Sequence, residues 1–235
     1  MPSGHEKNLA PPGIQNALRQ GWNAMTDNFL VLLGITLLYF LAQFVGGMFN
    51  PTLAPGEIPS ATESLRFGLG GLYNLLVLAP LLVGACWAFL HAVRAEPVAL
   101  KDLGAGFSIY LAAVAGMFLM SLAIGIGFVL LVVPGVILAV RLAFTPFILV
   151  DQHAGPVEAL KASWEATRGY GWSIFGLMLS SLGILFVGLL LLGIGVIPAW
   201  MWVVGAFAAY YHDVVDRPPA PATSGAATTP HPTGV

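Results

Sequence analysis

Arg141 is the one charged side chain that falls inside the long apolar stretches of this 235-residue chain, so the search for chemistry starts there. Placing an arginine at the centre of a membrane helix costs about 2.5–3.5 kcal/mol on insertion scales. Such a residue should face the interior of a helix bundle or a wet cavity. All eleven acidic residues lie in loops or at the ends of apolar stretches, so no carboxylate waits for it at depth. Its partner has to be a polar side chain, a carbonyl, water or an anionic ligand. With about 1.5 Å of rise per residue, Arg141, Gln43, Asn74 and Ser121 fall roughly 9–10 Å below the outer ends of their helices and can share one polar layer. That layer reads either as a pocket for an anionic head group or small anion, or as a structural network that fixes helix packing.

Three further residues are chemically capable. Asp151 closes the fourth apolar stretch at the inner face. It suits an N-cap for the following helix or a partner for Arg168. His91 and His212 occupy similar positions near the inner surface. They read as a paired proton relay or as plain interfacial histidines with no acid nearby. Cys86 is the only cysteine, which excludes an internal disulfide and a cysteine metal site. It reads as a small core residue. Metalloprotease, nucleophile-elbow and phosphate-loop motifs are absent, as is a pair of intramembrane aspartates. Gly125-Ile-Gly127 and Gly193-Ile-Gly195 read as packing glycines or hairpin bends. A non-catalytic protein with no cofactor and no metal is expected.

The elements that must position these residues are membrane spans. The chain is 57% hydrophobic and 9% charged, whereas a soluble domain is roughly a quarter charged. About 20 apolar residues in a helix cross a bilayer core. Stretches at 29–49, 67–93, 107–133, 135–150, 172–192 and 196–211 meet or approach that length. The fourth is the shortest, and Pro134-Gly135 is its expected structural turn. Pro80, Pro146 and Pro198 should each kink a span. Small residues four apart, among them Ala112/Gly116, Ser121/Gly125, Ala139/Ala143 and Gly205/Ala209, should allow close helix approach. The expected fold is an all-α polytopic transmembrane bundle of about six spans.

Two short amphipathic helices accompany the spans, one in the N-terminal segment 1–28 and one at 155–169. Gly13, Ala17, Leu18, Trp22 and Ala24 of the first align with Gly155, Ala159, Leu160, Trp164 and Ala166 of the second. Gly84…His91 aligns likewise with Gly205…His212. A parallel internal repeat follows, each unit being a short helix, a span out and a span back. In the second short helix Val157, Leu160 and Trp164 share a face that should lie in the interface. Glu158, Lys161, Glu165 and Arg168 form a neighbouring stripe suited to i,i+3 and i,i+4 pairing. Trp22, Trp164, Lys161 and Arg168 are the expected interfacial residues.

The Lys/Arg bias places both termini in the cytoplasm, with Lys7, Arg19, Arg94, Lys101, Lys161, Arg168 and Arg217 inside and Arg66 outside. An apolar stretch starting at Phe29 behind a polar 28-residue segment is not a cleaved signal. The transmembrane domain covers 29–217, and the Pro- and Thr-rich segment 218–235, with His231, is expected to be a disordered tail. A net charge of −2 argues against a nucleic-acid partner. The expected partners are membrane lipids, other membrane proteins or further copies of the chain.

The series Pro134-Gly135…Arg141, then Asp151, then Glu158-Ala-Leu-Lys-Ala-Ser-Trp-Glu-Ala-Thr-Arg-Gly169 resembles a bacterial family of uncharacterised six-helix membrane proteins. Similar sequences occur as the membrane domain joined to some glycerophosphodiester phosphodiesterases. The resemblance covers roughly residues 14 to 216. It implies a helical inner-membrane fold and no established activity. The acidic metal-binding motifs of a phosphodiesterase domain are not found in this sequence. The expected function is a non-catalytic module that binds lipid or supports a membrane complex, with Arg141, Gln43 and Asn74 as its polar centre. The alternative is a small transporter or channel for an anionic solute.

Overall fold

A computed structural model describes residues 13–50, 59–191, 193 and 195–216; Lys7, Arg217 and the segment 218–235 lie outside them. The described residues form helices joined by short turns and loops, with no strand among them. Helix α1 is Ile14–Asp27 and α2 is Phe29–Gly47. Helix α3, Ala61–Tyr73, passes through a π-helical turn at Asn74–Leu78 into α4, Ala79–Val93. A 3-10 turn at Leu100–Gly104 leads to the single turn α5, Ala105–Ser108, and to α6, Tyr110–Leu130. Then come α7, Val132–Arg141; α8, Thr145–Asp151; α9, Pro156–Ala166; α10, Gly171–Leu190; and α11, Val196–Val215.

Five of the helical runs are long and apolar enough to cross a membrane: Phe29–Gly47, Ala61–Val93, Tyr110–Leu130, Val132–Asp151 and Gly171–Leu190. The sixth expected span, α11, is a 20-residue helix but is not one of the five. Tyr210, Tyr211, His212 and Asp213 make its last turns more polar. The fourth span is 20 residues rather than 16. Its turn from α6 is at Leu131, three residues before the expected Pro134-Gly135 break. Pro134 sits in the first turn of α7, where no helical N–H is needed. Gly135 is a packing residue: a Cβ there would lie 2.6 Å from the Phe128 ring. Pro198 also falls in a first turn, that of α11, and breaks nothing.

Pro80 and Pro146 do mark interruptions. Pro80 follows the π-helical turn, and Pro146 follows the gap at Leu142–Phe144 between α7 and α8. In that gap Thr145 N–H turns back to the Leu142 carbonyl. The Arg141 carbonyl and the Phe144 N–H are therefore left without helical partners. Both are taken by one side chain of α9. The Ser163 hydroxyl donates to the Arg141 carbonyl at 2.9 Å and accepts from Phe144 N–H at 3.2 Å. Thr167, one turn on, brings its hydroxyl within 3.2 Å of the same carbonyl. The buried face of α9 is thus Ala159 and Ser163, while Val157 and Trp164 point outward.

Burial is uneven. In the most apolar 18 residues of each run, 61% are buried for Ala61–Val93 and 56% for Val132–Asp151, but 17% for α6. Helices α4, α8 and α11 form the core, with Phe89, Leu149, Tyr210 and Tyr211 fully enclosed. Helices α2, α6 and α10 stand outside it and turn large apolar side chains outward, as a lipid-facing layer would. The two helices matched in the repeat dock differently. Helix α1 lies on α11, and α9 lies on α6 and α8. Close approach at α1 needs Gly21, since a Cβ there would stand 2.4 Å from the Ala206 backbone nitrogen. Trp202 Nε1 donates to the Leu18 carbonyl at 2.8 Å, and Trp22 meets the Trp202 ring edge-on.

Two substitutions test these contacts. Gly21→Val should lower stability in detergent by about 1–3 kcal/mol, the usual effect of overpacking. Gly183→Ala should not, because nothing lies within 4 Å of its Cβ position. Ser163→Ala strands a buried N–H and weakens the hold on a carbonyl, so about 1–3 kcal/mol should be lost. Thermal unfolding of the purified variants measures both; equal unfolding of wild type and Ser163→Ala would show that the α7–α8 gap does not depend on this hydroxyl.

Candidate functional site

Arg141 ends α7 beside the elbow where α9 turns into α10. Its Nη1 donates to the Thr167 carbonyl at 3.0 Å. Its guanidinium stands 5.4 Å from the centre of the Trp164 ring, within cation–π range. No carboxylate lies within ion-pair distance of it among the described residues. Arg141 also lines a cavity of about 730 Å³. One wall is the apolar face of α7 (Val132, Val136, Ile137, Val140), and the other is Trp172 and Phe175 of α10. Gly169 and Gly171 close its polar end. Gly169 adopts φ +90°, a conformation that glycine enters without steric cost. The first turn of α10 carries no acidic residue, and no side chain caps it. Its free N–H groups add positive potential at the same end of the cavity. The site is an apolar groove with a cationic base.

The expected polar layer divides. Asn74 and Ser121 line a second cavity, together with Tyr39, and Arg141 is not part of it. Gln43 is exposed on α2 and lines neither cavity. The reason is the position of Arg141 relative to its neighbours. Counting residues along straight helices put it level with Asn74 and Ser121. Yet α7 stops at Arg141, and the guanidinium lies against the first turn of α10, at the end remote from the α10–α11 turn.

The inner-face candidates come together around a residue that the sequence did not single out. Arg94, just past α4, grips Asp151 through Nη1 at 2.6 Å and Nη2 at 3.0 Å. Its Nε donates to Asp216 at 2.9 Å. Burial works against the Arg94 charge, and the bonds to Asp151 and Asp216 outweigh it, so its pKa is held above the ordinary arginine value. Tyr211 donates to Asp151 at 2.8 Å. Asp151 is therefore neither an N-cap, since Gly155 holds that position in α9, nor a partner of Arg168.

The histidines are not free of acids. His91 Nε2 is 3.4 Å from Glu96, and its Nδ1 is 3.6 Å from Asp102. His212 Nδ1 is 2.6 Å from Asp216. Each histidine has its own carboxylates, and no contact joins the two rings. Together these bonds tie the ends of α4, α8 and α11 into one charged end.

The remaining interfacial residues are plain. Lys161 and Arg168 are exposed. The expected charge stripe on α9 makes no ion pair among the described residues. Glu158 instead turns back to accept from Gly155 N–H at 3.2 Å, which starts the helix. Cys86 is buried in α4, as expected of a core residue. The described residues hold no cluster of three metal-ligating side chains.

Comparison with known proteins agrees with this picture of a membrane bundle. Residues 107–217, from within α5 to just past α11, match a family described as a protein of unknown function (DUF975). Over 110 residues the chain is 33% identical to a UPF0259 membrane protein of Pectobacterium carotovorum, covering 46% of this chain and 44% of that one. Over 103 residues it is 29% identical to a UPF0259 membrane protein of Photorhabdus laumondii, covering 43% and 40%. The matches span less than half the length of these curated relatives. No solved structure matches. The Arg141 groove, the Ser163 contacts and Asp151 all lie in the matched region, whereas Arg94 precedes it. The chain is a multi-pass helical membrane protein similar to bacterial membrane proteins of unknown function.

Proposed function

We propose that this protein is a non-catalytic module that binds membrane lipid, with an anionic head group on Arg141 and an acyl chain in the groove between α7 and α10. The observation that carries this reading is an arginine without a carboxylate partner at the base of an apolar cavity. Helix α10 has 20 residues, about 30 Å, and needs all of them to cross a bilayer core. Its first turn therefore belongs near a membrane boundary where head groups lie, and the guanidinium of Arg141, which ends the ten-residue α7, reaches it there. Trp172, 87% exposed, suits the same level. Lys101, Lys161, Arg168 and Arg94 lie towards the charged end, which by the positive-inside bias faces the cytoplasm of a bacterial inner membrane. The ligand is then a lipid of the cytoplasmic leaflet. The resemblance of the Pro134–Gly169 series to membrane domains joined to some phosphodiesterases fits a module that works beside lipid. Protein partners and self-association are compatible with this role.

Native mass spectrometry of the gently extracted protein tests it, with Arg141→Gln and Arg94→Gln beside the wild type. An anionic lipid retained by wild type should bind Arg141→Gln about 10- to 100-fold more weakly, the effect of losing one charge-assisted contact. Arg94→Gln should instead unfold more readily, by about 1.5–3 kcal/mol, and keep its lipid while folded. Equal lipid retention by folded wild type and Arg141→Gln would refute the head-group role. Arg141-dependent anion flux in proteoliposomes would replace it with the transport reading.

A further inference from the structure

The second cavity, of about 560 Å³, lies between α2, the α3–α4 run and α6, and none of the described residues that line it is charged. It sits midway through the spans. Ser121 is 11 residues from the first residue of α6 and nine from the last. Tyr39 is ten residues from the first residue of α2 and eight from the last. Water does not reach this depth from the lipid side, so polar groups there must find partners in protein or ligand.

Two of them lack one. A serine within a membrane helix ordinarily returns its hydroxyl to the carbonyl four residues back. Ser180 and Ser181 do so, at 2.8 and 2.7 Å. Ser121 is exposed where the cavity opens; its hydroxyl makes no hydrogen bond among the described residues, and Gly125, one turn on, has nothing within 4 Å of its Cβ position. Asn74, also exposed, donates Nδ2 to the Gly70 carbonyl at 2.8 Å, and its Oδ1 makes no hydrogen bond among the described residues. Asn74 also opens the π-helical turn Asn74–Leu78, a distortion that recurs at functional sites.

We infer that this cavity binds an uncharged amphiphile whose head carries both a hydroxyl and a carbonyl, the chemistry of an acylglycerol. The hydroxyl satisfies Asn74 Oδ1, and the carbonyl accepts from Ser121. A phospholipid head group finds no cation here and would be stranded at mid-depth. A quinone supplies carbonyls but no donor for Asn74. This site is separate from the Arg141 groove and does not rest on it.

The test uses the full chain in detergent with added dioleoylglycerol, read by native mass spectrometry and, for fold, by thermal unfolding. Wild type should retain one molecule. Ser121→Ala and Asn74→Leu should each weaken retention about 3- to 10-fold, the effect of one hydrogen bond. Arg141→Gln should leave it unchanged. The acetate ester of dioleoylglycerol, which has lost the hydroxyl, should bind wild type as weakly as dioleoylglycerol binds Asn74→Leu. Equal retention by wild type and folded Ser121→Ala would overturn the proposal. So would a dimer of the chain that dissociates in both variants, because the cavity would then be filled by a second copy.

Discussion

The Ser163 hydroxyl makes two hydrogen bonds, to the Arg141 carbonyl and from the Phe144 N–H, across the gap between α7 and α8. A helix interrupted among apolar side chains exposes backbone groups that no solvent can satisfy, at several kcal/mol for each. One small side chain on a neighbouring helix removes that cost, and in doing so it fixes α9 against the gap. Much else follows from this contact. The α9–α10 elbow is held where Thr167 can receive Arg141 Nη1 and Trp164 can stack beneath the guanidinium. Without the gap α7 and α8 would be one straight rod, and Arg141 would have no reason to meet the start of α10.

The second constraint is length. The Ala61–Val93 run has 33 residues, about 50 Å, which is well beyond a bilayer core of roughly 30 Å. Its first residues run past the end of α2, which meets it at Gly70, and its last turns pack with α8 and α11 at the charged end. That inner core is enclosed by short polar segments: α1, the Leu100–Gly104 turn with α5, and α9. The enclosure explains why α9 buries Ala159 and Ser163 and why α1 buries mostly small residues, Ala17, Gly21 and Ala24 beside Met25. Gly21 and Ser163 are aligned positions in the repeat, and both face inward. Gly21 admits the backbone of α11, whereas Ser163 fills the gap of a broken helix.

The spans were legible because lipid imposes a simple rule, about 20 apolar residues per crossing, and the composition obeys it. Arg141 was legible as the exception to that rule. Its partners were not, because they are backbone and ring atoms 23 to 26 residues away (Trp164, Thr167) that no charge pattern reveals. Asp151 was legible as a structural carboxylate, but its partner Arg94 lies 57 positions away. That pairing depends on three helix ends meeting. The one available signal for Ser163 was the run Ala159, Ser163, Thr167 at four-residue spacing, a stripe of small residues on a helix otherwise read for its Trp164 face. The depth argument failed for Arg141 because it took each helix as straight.

Arg94 and Arg141 are the same residue type with opposite surroundings, and the contrast shows where binding energy is available. Arg94 is held by two carboxylates that are themselves bonded to Tyr211 and His212. A ligand there would have to displace an aspartate and leave it unpaired at the inner end of the bundle, an exchange with little net gain. Arg141 has one neutral carbonyl and one ring. Its charge has been removed from bulk water without an opposite charge in return, so an incoming anion forms an ion pair and displaces none. The apolar walls of the groove strengthen that pair by lowering the local dielectric and favour a ligand with a hydrocarbon chain over a hydrated ion. The charged end therefore holds the helices together, and the Arg141 groove, ten residues back along the α7–α8 chain, or about 15 Å, makes no such bonds.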